Sequence, residues 1–456
     1  MGSSLQEHKV AIIGGGITGL TAAFYLLRSG AEVTVFEAQP EAGGLSASFD
    51  FGDFWWDRFY HCILTSDEPL LHLIEDLGLS EDLRWQQTRV GFFALDRLFS
   101  VSTTREFLLF PLISLWNKVR LALGILYVCS IRDSRSLESI PISDWLIRIF
   151  GKRNYHRFWS PLLKCKLGTC HEEASAAFMW ATITRLYSTR SKSADKQEML
   201  GYVRGGYRTV FTRLQEEIES RGGRIMTGAP VECIESDPDG IDLLVSGQHR
   251  RFDHVISTVP GKLLARIAPQ LSPVYMEKLN TIRYLGIVCI VLVAKRSFSP
   301  FYVTNLCDDQ IPFTGVIEMT NLVSTKETAG RHLIYLPKYT APDDPLFLAP
   351  EEVLWSTFRA GLQRVIPDLS DDDIEQRFLF RERFVQPLPV LQYSALVPAM
   401  DTGVRGLVLA NTTQITNSTL NNNAMVQIAR DAVALVTTKA AMSQVAATPV
   451  AISMPV

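Results

Sequence analysis

The apolar residues of this chain fall into runs of different kinds, and their order predicts an architecture. Val10-Ala11-Ile12-Ile13 is a short unbroken apolar run, as expected of a strand buried on both faces. Three glycines follow, then Ile17 to Arg28 with apolar positions at helical spacing, then a second, largely apolar run, Ala31 to Phe36, closed by Glu37. Strand, glycine turn, helix and strand in that order form a βαβ unit of a parallel sheet. His254 to Pro260 and Gly406 to Asn411 are likewise largely apolar and read as strands returning to that sheet. Val231 to Ser236, Gly240 to Ser246 and His249 to Asp253 alternate instead, which predicts a small antiparallel sheet. Tyr284 to Ala294, Thr314 to Glu318 and His332 to Leu336 predict a second, larger sheet, with a helix from Pro350 to Val365.

From about Pro69 to Arg190 the period is helical, including Pro69 to Leu77 and a helix opening at Ser143-Asp144-Trp145 with Ser143 as N-cap. Gly205-Gly206 opens a further helix to Arg221, which Gly222-Gly223 ends ahead of a strand, Arg224 to Met226. The last helix is expected from about Ala424 to Val436. These boundaries predict a discontinuous first domain, built on the parallel sheet, made of 1–66, 201–262 and 386–438. A helical insertion, 67–200, and a β-rich segment, 263–385, form a substrate domain, and 439–456 is expected to be a flexible tail.

Charge and composition narrow the picture. A net charge of −3 with scattered basic residues gives no electrostatic footprint for nucleic acid. Seven cysteines without a C-x-x-C pair read as free thiols in a reducing compartment, and no metal centre is expected. No secretory pattern precedes the first strand, so the expected location is cytoplasmic. The strongly apolar stretch Phe107 to Val128 is interrupted by Pro111, Asn117, Lys118 and Arg120, too often to span a bilayer. It predicts helices that belong to the helical core, wall a hydrophobic cavity, or rest on a membrane surface, so 107–128 is where membrane association is to be sought.

The turn Gly14-Gly15-Gly16-Ile17-Thr18-Gly19 has G-x-G-x-x-G spacing between strand and helix. Gly14 permits the tight turn, Gly16 lets backbone approach a pyrophosphate, and Gly19 lets helix and strand pack closely. Ile17 and Thr18 begin the helix whose free N–H groups and positive dipole end face the phosphates. Glu37, with Ala38 beside it, ends the second strand where an acid receives ribose hydroxyls. These residues admit NAD or FAD.

A second glycine doublet, Gly43-Gly44, comes too soon after Glu37 for another crossover and marks a loop of close backbone approach. With that doublet, Gly205-Gly206 before a helix, Val231 in a strand after Gly222-Gly223, and the closing strand and helix, nearly the whole chain resembles the flavin-containing amine oxidase superfamily. Protoporphyrinogen oxidase, phytoene desaturase and UDP-galactopyranose mutase belong to that superfamily. The resemblance implies an α/β fold: a Rossmann-like FAD-binding domain of glutathione-reductase type and a substrate domain of antiparallel sheet plus helical insertion. It implies FAD as cofactor, with the doublet at the pyrophosphate and flavin side, Val231 at the adenine, and Asn411 with Asn423 or Ala424 at the flavin. A plain helix cap made by Asn423 is the alternative for that residue. The chain departs from the family pattern at Leu45, where arginine commonly follows the doublet, and at Ala410-Asn411, where Gly-Asp is usual. The last cysteine is Cys307, so attachment through a C-terminal cysteine is excluded and non-covalent FAD is expected.

A flavin carries its own redox chemistry, so the protein has only to position a small-molecule substrate and tune polarity. Asp57-Arg58-Phe59-Tyr60-His61 follows the doublet where the superfamily turns toward the isoalloxazine, which makes His61 the first candidate for handling a proton, with Tyr60 and Arg58 in the same pocket. Lys166, with Lys164, and Tyr335, with Lys338, are further candidates, and Glu318 is one for orienting a polar substrate. The leading expectation is an FAD-dependent oxidase, dehydrogenase or desaturase that removes hydride from a C–N or C–C bond of a partly apolar molecule. A sugar-nucleotide mutase without net redox, using arginines such as Arg153, Arg157, Arg185 and Arg190, is one alternative. A non-catalytic flavin-binding protein is the other.

Overall fold

A computed structural model describes residues 5–6, 8–188, 198–308 and 310–447 of the chain. Arg224–Met226, Glu32–Phe36, Lys9–Ile13, His254–Ser257 and Leu407–Leu409 lie side by side in that order as a five-stranded parallel sheet. Alternate residues of its strands face opposite ways and both faces are covered, which is why the runs are mostly apolar in the sequence. Val10 and Ile12 pack with the helices Ile17–Arg28, Tyr207–Ser220 and Asn422–Ala447. Ala11 and Ile13 pack with the antiparallel sheet Val231–Asp237, Gly240–Val245 and Gln248–Phe252.

The second large sheet has seven strands in the order Ile374–Pro387, Tyr284–Ala294, His332–Thr340, Gly315–Glu318, Val303–Leu306, Val90–Ala94 and Arg97–Ser100. Every residue of Tyr284–Ala294 is buried. One face of that strand, with Ile287, Cys289 and Val291, packs against the aromatic segment Phe51 to Phe59 that follows the glycine doublet. The other, with Val288, Ile290 and Leu292, packs against the helix Glu351–Val365. The doublet segment is thus held between the parallel sheet and the larger one.

Several boundaries differ from expectation. The insertion 67–200 is not wholly helical: Val90–Ala94 pairs in parallel with Val303–Leu306, and Leu83–Gln87 pairs with Met199–Val203. Leu83–Gln87 is stabilised by a partner over a hundred residues away in sequence, and Val90–Ala94 joins a local hairpin with Arg97–Ser100 to a strand still more distant, so helical periodicity does not announce them. Ser143 is not an N-cap. The helix is Ile142–Phe150 with Pro141 at the N-cap position, two residues earlier, where Ile142 N is held by Ala174 O. The last helix runs Asn422–Ala447, beyond Val436 and into the expected tail, because Val436 and Ala440 are buried in the core formed with Ile17–Arg28. Arg190 and the remainder of that tail, 448–456, lie outside the described residues. The stretch Phe107 to Val128 forms Thr104–Leu109 and Leu115–Ser130, and among the described residues no helix is long and apolar enough to cross a membrane.

Candidate functional site

The first turn is a backbone cradle. Gly14 has φ +110°, and a Cβ there would lie 2.3 Å from Thr258 Oγ1, whose hydroxyl donates to Ile13 O. A Cβ on Gly19 would lie 1.9 Å from Gly14 O, so helix and strand approach here only through glycine. Gly16 is different: its φ of −78° suits any residue, and a Cβ would meet nothing closer than Gly44 Cα at 3.8 Å. Gly43 N donates to Gly15 O over 2.9 Å, which sets the doublet beside the first turn. The helix Ile17–Arg28 has no side-chain cap and no acid in its first turn, so its N-terminal N–H groups, those of Ile17 and Thr18 included, face the cradle without a carboxylate in the way.

Glu37 is fixed by two backbone donors, Gly15 N at 2.6 Å to Oε2 and Gln39 N at 2.8 Å to Oε1. Ala38 is exposed beside it. Gly228 N and Ala229 N donate to Gln39 O and Glu37 O, which brings the segment leading into the half-buried Val231 next to the carboxylate. At the other end, Gly43 adopts φ +144°, and a Cβ there would collide with Ala47 Cα at 2.6 Å. Leu45 is half-buried against the aromatic cluster. The guanidinium missing at Leu45 arrives from elsewhere in sequence: Arg58 Nη2 donates to Gly44 O over 2.8 Å. Burial holds its pKa below the usual guanidinium range.

His61 joins three parts of the chain. Its Nε2 lies 3.2 Å from Ser46 Oγ, two residues past the doublet, and that hydroxyl donates to Asn422 Oδ1 at 3.0 Å, in the first turn of the last helix. His61 Nδ1 faces Asp57 Oδ2 at 3.6 Å, and Asp57 is buried, its Oδ1 accepting from Tyr207 N at 3.0 Å. The His61 ring meets Tyr207 edge-on at 5.2 Å. The arrangement can hold a proton on either ring nitrogen.

Beside it, the hydroxyls of Tyr60 and Tyr339 are 3.1 Å apart, and the Tyr60 ring lies edge-on to Tyr335 at 6.0 Å. Burial pushes the pKa of both paired phenols up, so both stay protonated at neutral pH. Tyr335 has a structural bond: its hydroxyl donates to Asp57 O over 2.6 Å, which ties the larger sheet to the doublet segment. Cys62 is half-buried nearby, its thiol pushed up to about 11 by desolvation.

Other expected residues sit elsewhere or are otherwise engaged. Asn411 Oδ1 accepts from Thr413 N and Oγ1 while its Nδ2 donates to Val259 O, so the carboxamide holds the loop after Leu407–Leu409 and is not turned to a ligand. Asn423 is not the helix cap: its Oδ1 accepts from Leu70 N, and Asn421 Oδ1 accepts from Ala424 N instead. Lys166 is exposed on the helix Ser160–Leu167, and Lys164 lines a separate cleft with Asp96, His156 and Asp308. Lys338 is half-buried on the same strand as Tyr335. Glu318 is fully buried, its carboxylate held by Phe298 N and Ser299 N, and so anchors a loop. Arg153 and Arg157 are exposed, and Arg185 bonds Asp67 and Thr419. The sequence reading missed Ser46, Asp57, Tyr207, Tyr339 and Asn422. Only Asp57, four residues before His61, carried a local signal.

A bare glycine cradle, an uncapped helix terminus, a fixed carboxylate, and a buried Arg58 Nε without a hydrogen-bond partner fit an extended anionic cofactor running along the cradle from Glu37. Comparison with known proteins agrees. The family model described as flavin containing amine oxidoreductase matches residues 17–416. The chain is 28% identical to zeta-carotene desaturase of Arabidopsis thaliana over 48% of its own length and 42% of the relative's. It is 24% identical to mitochondrial protoporphyrinogen oxidase of Nicotiana tabacum over 64% of its own length and 66% of that protein's. The alignments thus span between two fifths and two thirds of these relatives. An oxidoreductase from Methanosarcina mazei has the same fold, with a TM-score of 0.75 at 19% identity over 93% of this chain and 99% of that one.

Proposed function

This chain belongs to the flavin containing amine oxidoreductases, and from that premise we propose that it binds FAD non-covalently and removes hydride from a C–N or C–C bond of a partly apolar small molecule. The carrying observation is the meeting of the doublet, Ser46, His61 and Asn422 at one end of the cradle, next to the Tyr60–Tyr339 pair. Bound FAD supplies the hydride acceptor. Gly16, Gly44 and the terminus of Ile17–Arg28 bind the diphosphate, Glu37 receives the ribose, and Arg58 steadies the doublet. His61, aligned between Asp57 and Ser46, holds or releases a proton at Nε2. Tyr60 and Tyr339, kept neutral by burial, offer hydroxyls to the polar end of a substrate whose remainder meets the aromatic wall of Phe59, Tyr302 and Tyr335. The names of the relatives, a carotene desaturase and a porphyrinogen oxidase, support an apolar, conjugated substrate class.

The test is to load the purified protein with FAD, precipitate it with acid, and photoreduce a second sample without oxygen before admitting air. Flavin left in the supernatant is the expected result, and flavin retained in the pellet refutes non-covalent binding. Reoxidation by oxygen or by a quinone supports the oxidoreductase reading. Turnover that occurs only while the flavin stays reduced, with no net electron transfer, refutes it in favour of a mutase.

A further inference from the structure

We propose that the face formed by Thr104–Leu109 and Leu115–Ser130 rests on the surface of an anionic lipid bilayer. Leu115, Trp116, Val119, Leu123, Leu126 and Tyr127 follow one another along a single side of the longer helix, and all are exposed, Trp116 to 84%. Leu108 and Leu109, at the end of the shorter helix, extend the apolar surface. Scattered exposed apolar residues need no explanation, whereas a contiguous stripe of this kind marks an interaction surface.

The stripe is not a frayed edge. The opposite side of the longer helix, with Leu121, Gly124 and Val128, is buried, and a Cβ on Gly124 would lie 2.4 Å from Phe150 Cε1, so the helix is seated on Ile142–Phe150 as closely as backbone permits. Lys118 is drawn off the stripe, its Nζ donating to Leu108 O over 2.6 Å, which ties the two helices together. Arg120 Nε and Nη2 bond Ile149 O and Arg148 O. Between the two longer helices runs a groove of about 580 Å³ whose lining combines Trp116, Leu123 and Tyr127 with Arg120 and Arg148.

Charge selects the occupant. No Asp or Glu occurs between Phe107 and Ile131, and residues 104–157 carry nine Lys and Arg against four Asp and Glu, in a chain of net charge −3. Of those acids, Glu138 is buried and Glu106 is bound by Ser100, Ser102 and Thr103, while of the nine bases Lys118 alone is buried. A second copy of the chain would set two such basic surfaces against each other, whereas an anionic bilayer complements them. An aliphatic stripe with Trp and Tyr and a basic margin is the composition of a helix lying in the interfacial plane. At sixteen residues the longer helix is about 24 Å long and lies along the surface instead of crossing it.

The experiment is flotation of the purified full chain with vesicles of phosphatidylcholine alone and of phosphatidylcholine with phosphatidylglycerol. The chain is expected to float with the anionic vesicles, and the triple substitution Trp116→Ser, Leu123→Ser, Tyr127→Ser is expected to lower partitioning at least about tenfold. Leu348→Ser, which removes an exposed leucine elsewhere, is expected to change nothing, and circular dichroism of each variant checks its folding. Failure to float, equal flotation with both vesicles, or flotation that survives the triple substitution overturns the proposal. So does a concentration-dependent dimer in ultracentrifugation that the triple substitution dissolves, since the face is then a protein interface. None of these readouts uses the flavin, so failure here leaves the proposed chemistry untouched.

Discussion

Gly16→Ala separates cofactor binding from folding. The backbone at Gly16 has φ −78° and ψ −177°, which alanine adopts without strain, and its Cβ would have 3.8 Å of clearance to Gly44 Cα. The apo protein is therefore expected to keep its urea midpoint, with a stability change within about 0.5 kcal/mol. The methyl group nevertheless occupies the open side of the cradle where a diphosphate must approach the helix terminus. Displacing the diphosphate weakens about two charge-assisted hydrogen bonds at ~1.5–3 kcal/mol each, or roughly a hundredfold to ten-thousandfold in affinity. Isothermal titration of the apo protein with FAD measures the second quantity and urea unfolding the first. Gly19→Ala is the contrast: its Cβ would sit 1.9 Å from Gly14 O, so the helix must move more than an ångström. Overpacking of ~1–3 kcal/mol there exceeds the ~1 kcal/mol that alanine contributes as a helix former, and both stability and affinity are expected to fall. Unchanged FAD affinity in Gly16→Ala refutes the assignment of the cradle, and destabilised apo protein refutes the claim that this face is open.

Further outcomes follow from other bonds. Tyr335→Phe deletes the buried donor to Asp57 O and is expected to cost about 1–3 kcal/mol in urea unfolding, since the carbonyl is left unsatisfied. Arg58→Met is expected to weaken FAD binding roughly tenfold in titrations, an effect that shrinks as salt rises if the guanidinium acts by charge. Burial raises the Glu318 pKa from 4.5 to about 7, so the folded chain binds the extra proton between those values and loses stability as pH rises through them. The loss is roughly 3 kcal/mol, and Glu318→Gln should flatten that part of the curve of urea midpoint against pH. A midpoint that rises with pH across this window in the wild type and not in the variant contradicts that sign. His61→Asn keeps a donor near Ser46 but removes the imidazole, and it should leave FAD affinity within about twofold in titrations while lowering the rate of flavin reduction by substrate at least about tenfold.

The amino-acid sequence by itself determined the parallel sheet and the phosphate turn. Lys9–Ile13, Ile17–Arg28 and Glu32–Phe36 are each specified by residues within a few positions of one another, and the glycines between them are demanded by local backbone geometry. The family resemblance rested on the same local signals, repeated in order. Tertiary structure alone decided the polar cluster at the far end of the cradle. Ser46, His61 and Asn422 come together from positions as far as 376 residues apart, and Tyr60 meets Tyr339 across 279. It also decided that Arg58 reaches the doublet past Leu45, that Asn411 turns inward, and that the apolar stretch after Phe107 hides one side and shows the other. Periodicity registers which residues share a face of their own element. Which face meets solvent, and which side chains converge, depends on packing between elements far apart in the chain.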